Sequence, residues 1–235
     1  IARIAETARL SGLGSVEGPD LPGEKPGLIP DTQWKKATFG DIWHPGETLV
    51  AGIGQGFITT TPLQLCVMTA RIANGGYAVK PRLVRRISDE SQNDEGNPVF
   101  PSLELSPDHL KLLRTGMDMV SNTERGTAYR SRIDIPGMEL AGKTGTSQVR
   151  RITMAERARG VLKNEQLPWN RRDHALFVAF APVHAPRYAC SVVVEHGGGG
   201  SAVAAPIARD ILIECQRRDP SRRNPNAEGG RREMP

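Results

Sequence analysis

The residues best suited to chemistry are Gly142-Lys143-Thr144-Gly145-Thr146, within the stretch "GMELAGKTGTSQV" that runs from Gly137 to Val149. Two chemistries fit their types and spacing. Counted from Gly137, they match a phosphate-binding loop, Gly-x-x-x-x-Gly-Lys-Thr, in which backbone amides and a lysine cradle a nucleotide. Counted from Lys143, they form a Lys-Thr-Gly triplet suited to serine acyl transfer. In the second chemistry, Lys143 holds a positive charge at a cleft edge, while Thr144 and Thr146 offer short hydroxyl donors to a substrate carboxylate. Gly145 leaves the strand edge bare, so that an extended peptide can lie against it as an added strand. The amide of Thr146 then supplies half of an oxyanion hole.

The flanks separate the two. A phosphate loop needs a buried strand ending at the first glycine and a helix opening at Gly-Lys-Thr. Here Pro136 precedes Gly137, Leu140 would stand inside the cradle, and "GTSQV" after Lys143-Thr144 is β-prone. The apolar strand that should end in a magnesium-holding acid is met only loosely by "SVVVE" at Glu195. The nucleotide-hydrolase reading is therefore the weaker one.

The elements that must position this segment are legible on both sides. From Met138 the pattern turns to strands: "MELAGKTGTSQV", "HALFVAFAPV" and "RYACSVVVEHG", the last two joined by a turn at His184 to Pro186 as an antiparallel hairpin. "SAVAAPIARDILIECQRR" places Val203, Ile207 and Ile211 at helical spacing, a helix to cover that sheet. Upstream, Thr61 is an N-cap with Pro62 at the first helical position and Gln64 completing a capping box. Leu65, Met68 and Ile72 form the expected buried stripe until Asn74-Gly75-Gly76. A second helix opens at Ser106-Pro107-Asp108, with Leu110, Leu113, Met117 and Val120 on one face. Residues 2 to 10 read as a short helix ended by Gly12 and Gly14, and "YAVKPRLVRRI" as a basic strand-like run. "GSVEGPDLPGEKPGLIPDTQWKK" reads as a long surface excursion without regular structure.

With 235 residues, 38% hydrophobic and 24% charged, the chain has the composition of an ordinary globular fold. It has no run of apolar residues long enough to span a bilayer and no signal peptide. It reads as the middle of a larger protein, any anchor lying elsewhere. The net charge of +5 comes from residues 150–172 and from the tail beyond Arg217. No aromatic residue interleaves with that tail, so nucleic acid is not expected as a partner. Residues 1–216 read as folded and 217–235 as a disordered basic tail.

Cys66, Cys190 and Cys215 lie in apolar segments without metal-ligand spacing. His44, His109, His174, His184 and His196 are scattered, with no Asp or Cys at ligand spacing, so neither a metal nor a cofactor is expected. Trp34 and Trp43 flank a loop and read as covers for the core edge, Gln55-Gly56 as a turn seating a helix, and "HGGGG" from His196 to Gly200 as a connection from a strand to a helix with the means to bind an anion.

The segments taken together resemble the C-terminal part of the transpeptidase domain of class B penicillin-binding proteins, the elongation-type members above all. "AGIGQGFITTTPLQL", "GTAYRSRI", "LAGKTGTSQV" and "FVAFAPVHAPRYACSVVVEHGGGG" follow one another in that family's order. The resemblance implies an α+β fold shared with serine β-lactamases, with a five-stranded antiparallel sheet flanked by helices and an all-helical part. It implies cross-linking of peptidoglycan stem peptides ending D-Ala-D-Ala through a serine acyl-enzyme, with β-lactams as mimics. By position, Lys143, Thr144, Gly145 and Thr146 inherit the binding of the substrate carboxylate and carbonyl. Implied too are a SEDS-type membrane polymerase and other elongation-complex proteins as partners, and a place at the periplasmic face of the cytoplasmic membrane.

One departure stands out. The family's nucleophile and base lie in Ser-x-x-Lys, and no serine here is followed three residues later by lysine. Thr32-Gln-Trp-Lys35 has the spacing in a loop-like context away from any expected helix start, and Ser91-Gln92-Asn93 matches the second motif, Ser-x-Asn, in a polar stretch. The expectation is a chain that begins after the nucleophile and forms no acyl-enzyme alone. A non-catalytic interaction module on the same fold is the alternative. The basic 150–172 insertion should overhang the cleft, as a solvated loop or as a surface for an anionic partner.

Overall fold

The apolar alternation after Met138 builds the centre of the molecule. The computed structural model describes residues 1–18, 22–83, 100–150 and 152–220. In chain order these form α1 (Ala2–Leu10), α2 (Thr32–Phe39), α3 (Pro45–Gly52), α4 (Pro62–Ala73), α5 (Pro107–Asn122), β1 (Ala141–Ser147), α6 (Met154–Arg159), β2 (His174–Ala181), β3 (Tyr188–Val194) and α7 (Ala205–Arg217). The sheet has the order β1-β2-β3, antiparallel throughout, with Lys143 opposite Val178, Thr144 opposite Phe177 and Ala179 opposite Cys190. The three strands expected after Met138 are present, whereas the described part of the basic strand-like run, residues 77–83, forms only an isolated bridge between Tyr77 and Ser102. The described residues thus hold a three-stranded sheet, not the five strands that the resemblance implies.

Each face of the sheet buries a separate apolar cluster. Leu140, Phe177 and Ala179 meet Ala205, Ala208 and Leu212 of α7 on one face. On the other, Ala141 and Phe180 meet Ala73 of α4 and Met117 of α5. The α7 stripe differs from the expected one: Ala205, Ala208, Leu212 and Gln216 face inward, while Ile207 and Ile211 are 42% and 43% exposed. A π-helical turn at Gly200–Ala204 precedes α7, so the interval from Val203 to Ile207 crosses a change of helical phase. The small alanines then let the helix approach the sheet closely.

Two further stripes need correction. The capping box of α4 forms as expected, with the Thr61 hydroxyl accepting from Gln64 N and Gln64 Oε1 accepting from Thr61 N. Yet Gln64, Val67, Thr69, Arg71 and Ala73 are its buried residues, with Leu65, Met68 and Ile72 only half-buried. The helix is enclosed on a second side by the N-terminal segment: Gln64 Nε2 donates to the carbonyls of Ser15 and Pro26, and Arg71 pairs with buried Glu17 at 2.6 Å. On α5, Leu110 and Met117 are buried but Leu113 is 50% exposed.

The glycine- and proline-rich excursion also contains regular structure. Asp31 caps α2 by accepting from Trp34 N at 2.8 Å, and Gly40 closes it with a left-handed φ of 67°. In α3, Pro45 takes a first-turn position and Glu47 Oε2 accepts from His44 N. At the other end, α7 continues through Arg217, and Asp219 is buried with its carboxylate 3.2 Å from Arg187. The folded body therefore passes the boundary at 216. Residues 221–235, the strand-like run beyond Leu83 and Ser91-Gln92-Asn93 lie outside the described residues.

Candidate active-site strand

Lys143, Thr144, Gly145 and Thr146 lie on β1, at the edge of the sheet. This disposes of the phosphate-loop geometry, which needs a helix to start at that lysine. Gly142 has another reason to be glycine: a Cβ there would sit 2.4 Å from Cζ of Phe177. The motif's first glycine makes room for a core aromatic ring.

Which groups of β1 face outward follows from one contact. Gln55 Nε2 donates to Thr146 O at 3.1 Å from outside the sheet. In an antiparallel strand the N–H and C=O of one residue point the same way, alternating along the chain. The amides of Thr144 and Thr146 thus open away from β2, while those of Lys143 and Gly145 face it. The outward set continues to Leu140, whose carbonyl accepts from Asn122 Nδ2 at 2.9 Å.

The side chains split between the two faces. Residues opposite each other share a face, so Lys143 stands with Val178 on the side of α4 and α5, and Thr144 with Phe177 on the side of α7. Lys143 is exposed and its ammonium donates to Thr144 O at 2.8 Å. The Thr144 hydroxyl lies 3.1 Å from that of Thr127. An ammonium, two outward amides and a pair of linked hydroxyls thereby line one edge. That edge suits an extended peptide ending in a carboxylate.

The other sequence candidates fall elsewhere. Thr32 does begin a helix, contrary to the loop expected, but Lys35 is no free base for it. The Lys35 ammonium is 2.5 Å from Glu47 Oε1 and lies over the Phe39 and Phe57 rings at 4.9 and 5.0 Å. That hydrogen bond, before the one from His44 N–H, holds the Glu47 carboxyl below the usual glutamate range. Trp34 packs with Phe39 and Phe57, a structural cluster, and Trp43 donates to the Thr48 hydroxyl. In the insertion, Arg150 is held by Glu156 through two 2.7 Å contacts, which lower that carboxyl. His174 and His196, scattered in sequence, meet in space: His196 N donates to His174 Nδ1 at 2.9 Å. Cys66, Cys190 and Cys215 are free thiols, and burial pushes Cys190 up to about 11.

Two contributors to this strand escaped the sequence reading. Gln55 was read as part of a turn, yet it stands between Gly54 and Gly56, at φ of 72° and 80°, and reaches β1. A polar residue between two left-handed glycines was the available signal. Thr127 sits in the noticed Gly-Thr-Ala turn, but only the fold brings it to Thr144.

Residues 2–213 match the penicillin binding protein transpeptidase domain. The chain belongs to that family. Its relatives include peptidoglycan D,D-transpeptidases named MrdA and solved structures of PBP2. The peptidoglycan D,D-transpeptidase MrdA of Acinetobacter baumannii is 34% identical over 229 residues, covering 94% of this chain and 32% of that protein. MrdA of Escherichia coli K12 is 32% identical over 214 residues, 90% of this chain and 33% of that protein. The structure of Pseudomonas aeruginosa PBP2 in complex with WCK 5153 superposes with a TM-score of 0.76 at 36% identity, covering 94% of this chain and 44% of that one. Helicobacter pylori PBP2 in complex with MreC gives 0.74 at 32% identity, covering 91% and 35%. The α+β fold is that of penicillin-binding transpeptidase domains, and the chain spans about a third of the length of the MrdA relatives.

Proposed function

We propose that the full-length protein is a peptidoglycan D,D-transpeptidase and that this chain supplies the Lys-Thr-Gly edge of its active site. The single observation behind this reading is the outward pair of amides at Thr144 and Thr146, set between the Lys143 ammonium and the Thr144–Thr127 hydroxyls. A stem peptide ending D-Ala-D-Ala adds along β1, its terminal carboxylate drawn to Lys143 and the threonine hydroxyls. A serine that this chain does not contain attacks the penultimate carbonyl, and the oxyanion takes the Thr146 amide. Collapse of the adduct breaks the peptide bond; D-alanine leaves with a proton, and the acyl group stays on the serine. An amine of a neighbouring stem peptide then attacks that ester, forming the cross-link and returning the hydroxyl its proton. β-Lactams follow the same entry and remain as the acyl-enzyme.

The partners and place follow from the same reading: elongation-complex proteins such as MreC, with which the H. pylori relative forms a complex, a SEDS-type polymerase, and the periplasmic face of the inner membrane. None of the helices among the described residues is long and apolar enough to cross a membrane. The test is labelling of the full-length protein with a fluorescent penicillin. Lys143→Ala is expected to slow acylation ~100-fold or more, the scale for removing a donor aimed at developing charge. Acylation of the variant at the parent rate would overturn the assignment.

A further inference from the structure

At the open end of the hairpin, where β2 begins and β3 has just ended, three aromatic rings stack. The His196 ring lies 4.6 Å from that of Trp169, which comes from the insertion, and 4.7 Å from that of His174, centroid to centroid. Hydrogen bonds settle two of the ring nitrogens. His174 Nδ1 accepts from the backbone N–H of His196 at 2.9 Å, so its proton is on Nε2. His196 Nδ1 stands 2.9 Å from the carbonyl of Arg172, which only accepts, so this nitrogen carries a proton.

What these rings hold is a backbone turn. His196 has a left-handed φ of 56°, a conformation that a residue with a Cβ keeps only where its surroundings over-determine it. The turn sends Gly197 to Gly200 back over the sheet. A Cβ on Gly197 would lie 2.9 Å from Val194 Cγ1, and Gly198 N donates to Asp173 O at 2.8 Å. At Gly200 the approach is closest: a Cβ there would lie 2.3 Å from Leu176 O and 2.5 Å from Gly145 O. The backbone of the connection therefore rests directly on the facing pair Gly145 and Leu176.

Gly145 O belongs to the same planar peptide unit as the Thr146 N–H. Pressure on that oxygen is thus pressure on the amide that the transpeptidase reading aims at the oxyanion. We infer that His174 is a positioning residue for acyl transfer. By accepting the His196 amide it keeps the turn in place, the turn keeps Gly200 against Gly145, and the Thr146 N–H keeps its direction. Trp169 and the Gly198 hydrogen bond hold the same connection from other sides, and the apolar core around Phe177 and Leu212 does not depend on it. Loss of the one acceptor should shift the connection without unfolding the sheet. This rests on the transpeptidase reading above and adds to it a residue that touches neither substrate nor β1.

The experiment uses the full-length protein and fluorescent penicillin at varied concentration, which separates initial binding from the covalent step. His174→Gln carries its acceptor to the place of Nε2 and leaves the His196 amide without one. The covalent step should slow by up to ~100-fold, the scale for a misplacement of about 1 Å, with initial binding little changed. His174→Asn sets its side-chain oxygen where Nδ1 stood and should return most of the rate. A ring needed only for packing would be missed equally in both. Independently of any variant, NMR of the imidazole nitrogens in the parent should find the His174 proton on Nε2 and a proton on His196 Nδ1. A Gln variant that acylates at the parent rate, Gln and Asn variants slowed alike, or a parent with the His174 proton on Nδ1 would each overturn this role and leave the transpeptidase reading in place. A parent that takes no penicillin label would instead remove the reading on which the role of His174 depends.

Discussion

The sheet with α7 and the N-terminal sixty residues are held together by different physics. Around β2 the core is apolar and sealed: Phe177, Ala179, Phe180 and Leu212 have at most 1% of their surface exposed. The N-terminal part instead hangs on separate polar ties, Glu17 to Arg71, Lys35 to Glu47, Asp31 to Trp34 N, and Gln64 to two carbonyls. The first kind of cohesion is many small contacts, and no one of them decides the structure. In the second, single polar side chains tie separate stretches of backbone together, beside a small aromatic cluster of Trp34, Phe39 and Phe57. Gln55 belongs to the polar part yet touches the carbonyl of Thr146, so the geometry of the candidate site depends on both.

Substitutions can break this contrast at either end. Phe177→Ala removes the ring that stands opposite Thr144 and should cost about 3–5 kcal/mol in denaturant unfolding, with loss of the whole sheet in one transition. A comparable global cost would be surprising in the polar part unless a buried charge is stranded. Glu17→Ala does strand one: Arg71 is 6% exposed, and removing its partner should cost about 3 kcal/mol. Replacing both residues by apolar ones of similar volume should recover most of that loss. Thr61→Ala, which removes a cap on α4, should cost about 1 kcal/mol by the same measurement.

Acid offers the gentlest probe. The carboxyls of Glu47 and Asp31 are held below their ordinary values, the first chiefly by Lys35, the second chiefly by Trp34 N–H and then by Arg9. A carboxyl whose folded value is lowered binds its proton more readily in the unfolded chain. Its stabilisation is therefore present above the ordinary carboxylate range and is lost as pH falls through the lowered value. Hydrogen exchange followed from neutral to acid pH should show α2 and α3 losing protection before β2 does. Glu47→Gln should reduce that pH dependence.

The same contrast explains what could be read from the sequence. Strands β1 to β3 and their order are visible because an apolar alternation is a repeated signal, and the caps at Thr61 and Ser106-Pro107 mark helix starts by residue type alone. The excursion before Trp34 hid α2, since glycine and proline outweighed the single cap at Asp31. The stripe on α7 was misplaced because nothing in "GSAVA" announces a π-turn. In the site, Lys143 through Thr146 were legible as a motif and their strand as a pattern. Gln55, Thr127 and the meeting of His174 with His196 were not, because each depends on contacts between distant parts of the chain.

The central claim concerns the free edge of β1, and a crystal structure of the full-length protein acylated by a penicillin tests it most directly. The account places the drug's carboxylate within hydrogen-bond reach of Lys143, Thr144 or Thr146 and its carbonyl oxygen on the Thr146 amide. A covalent adduct whose carboxylate and carbonyl contact neither these side chains nor that amide would contradict it.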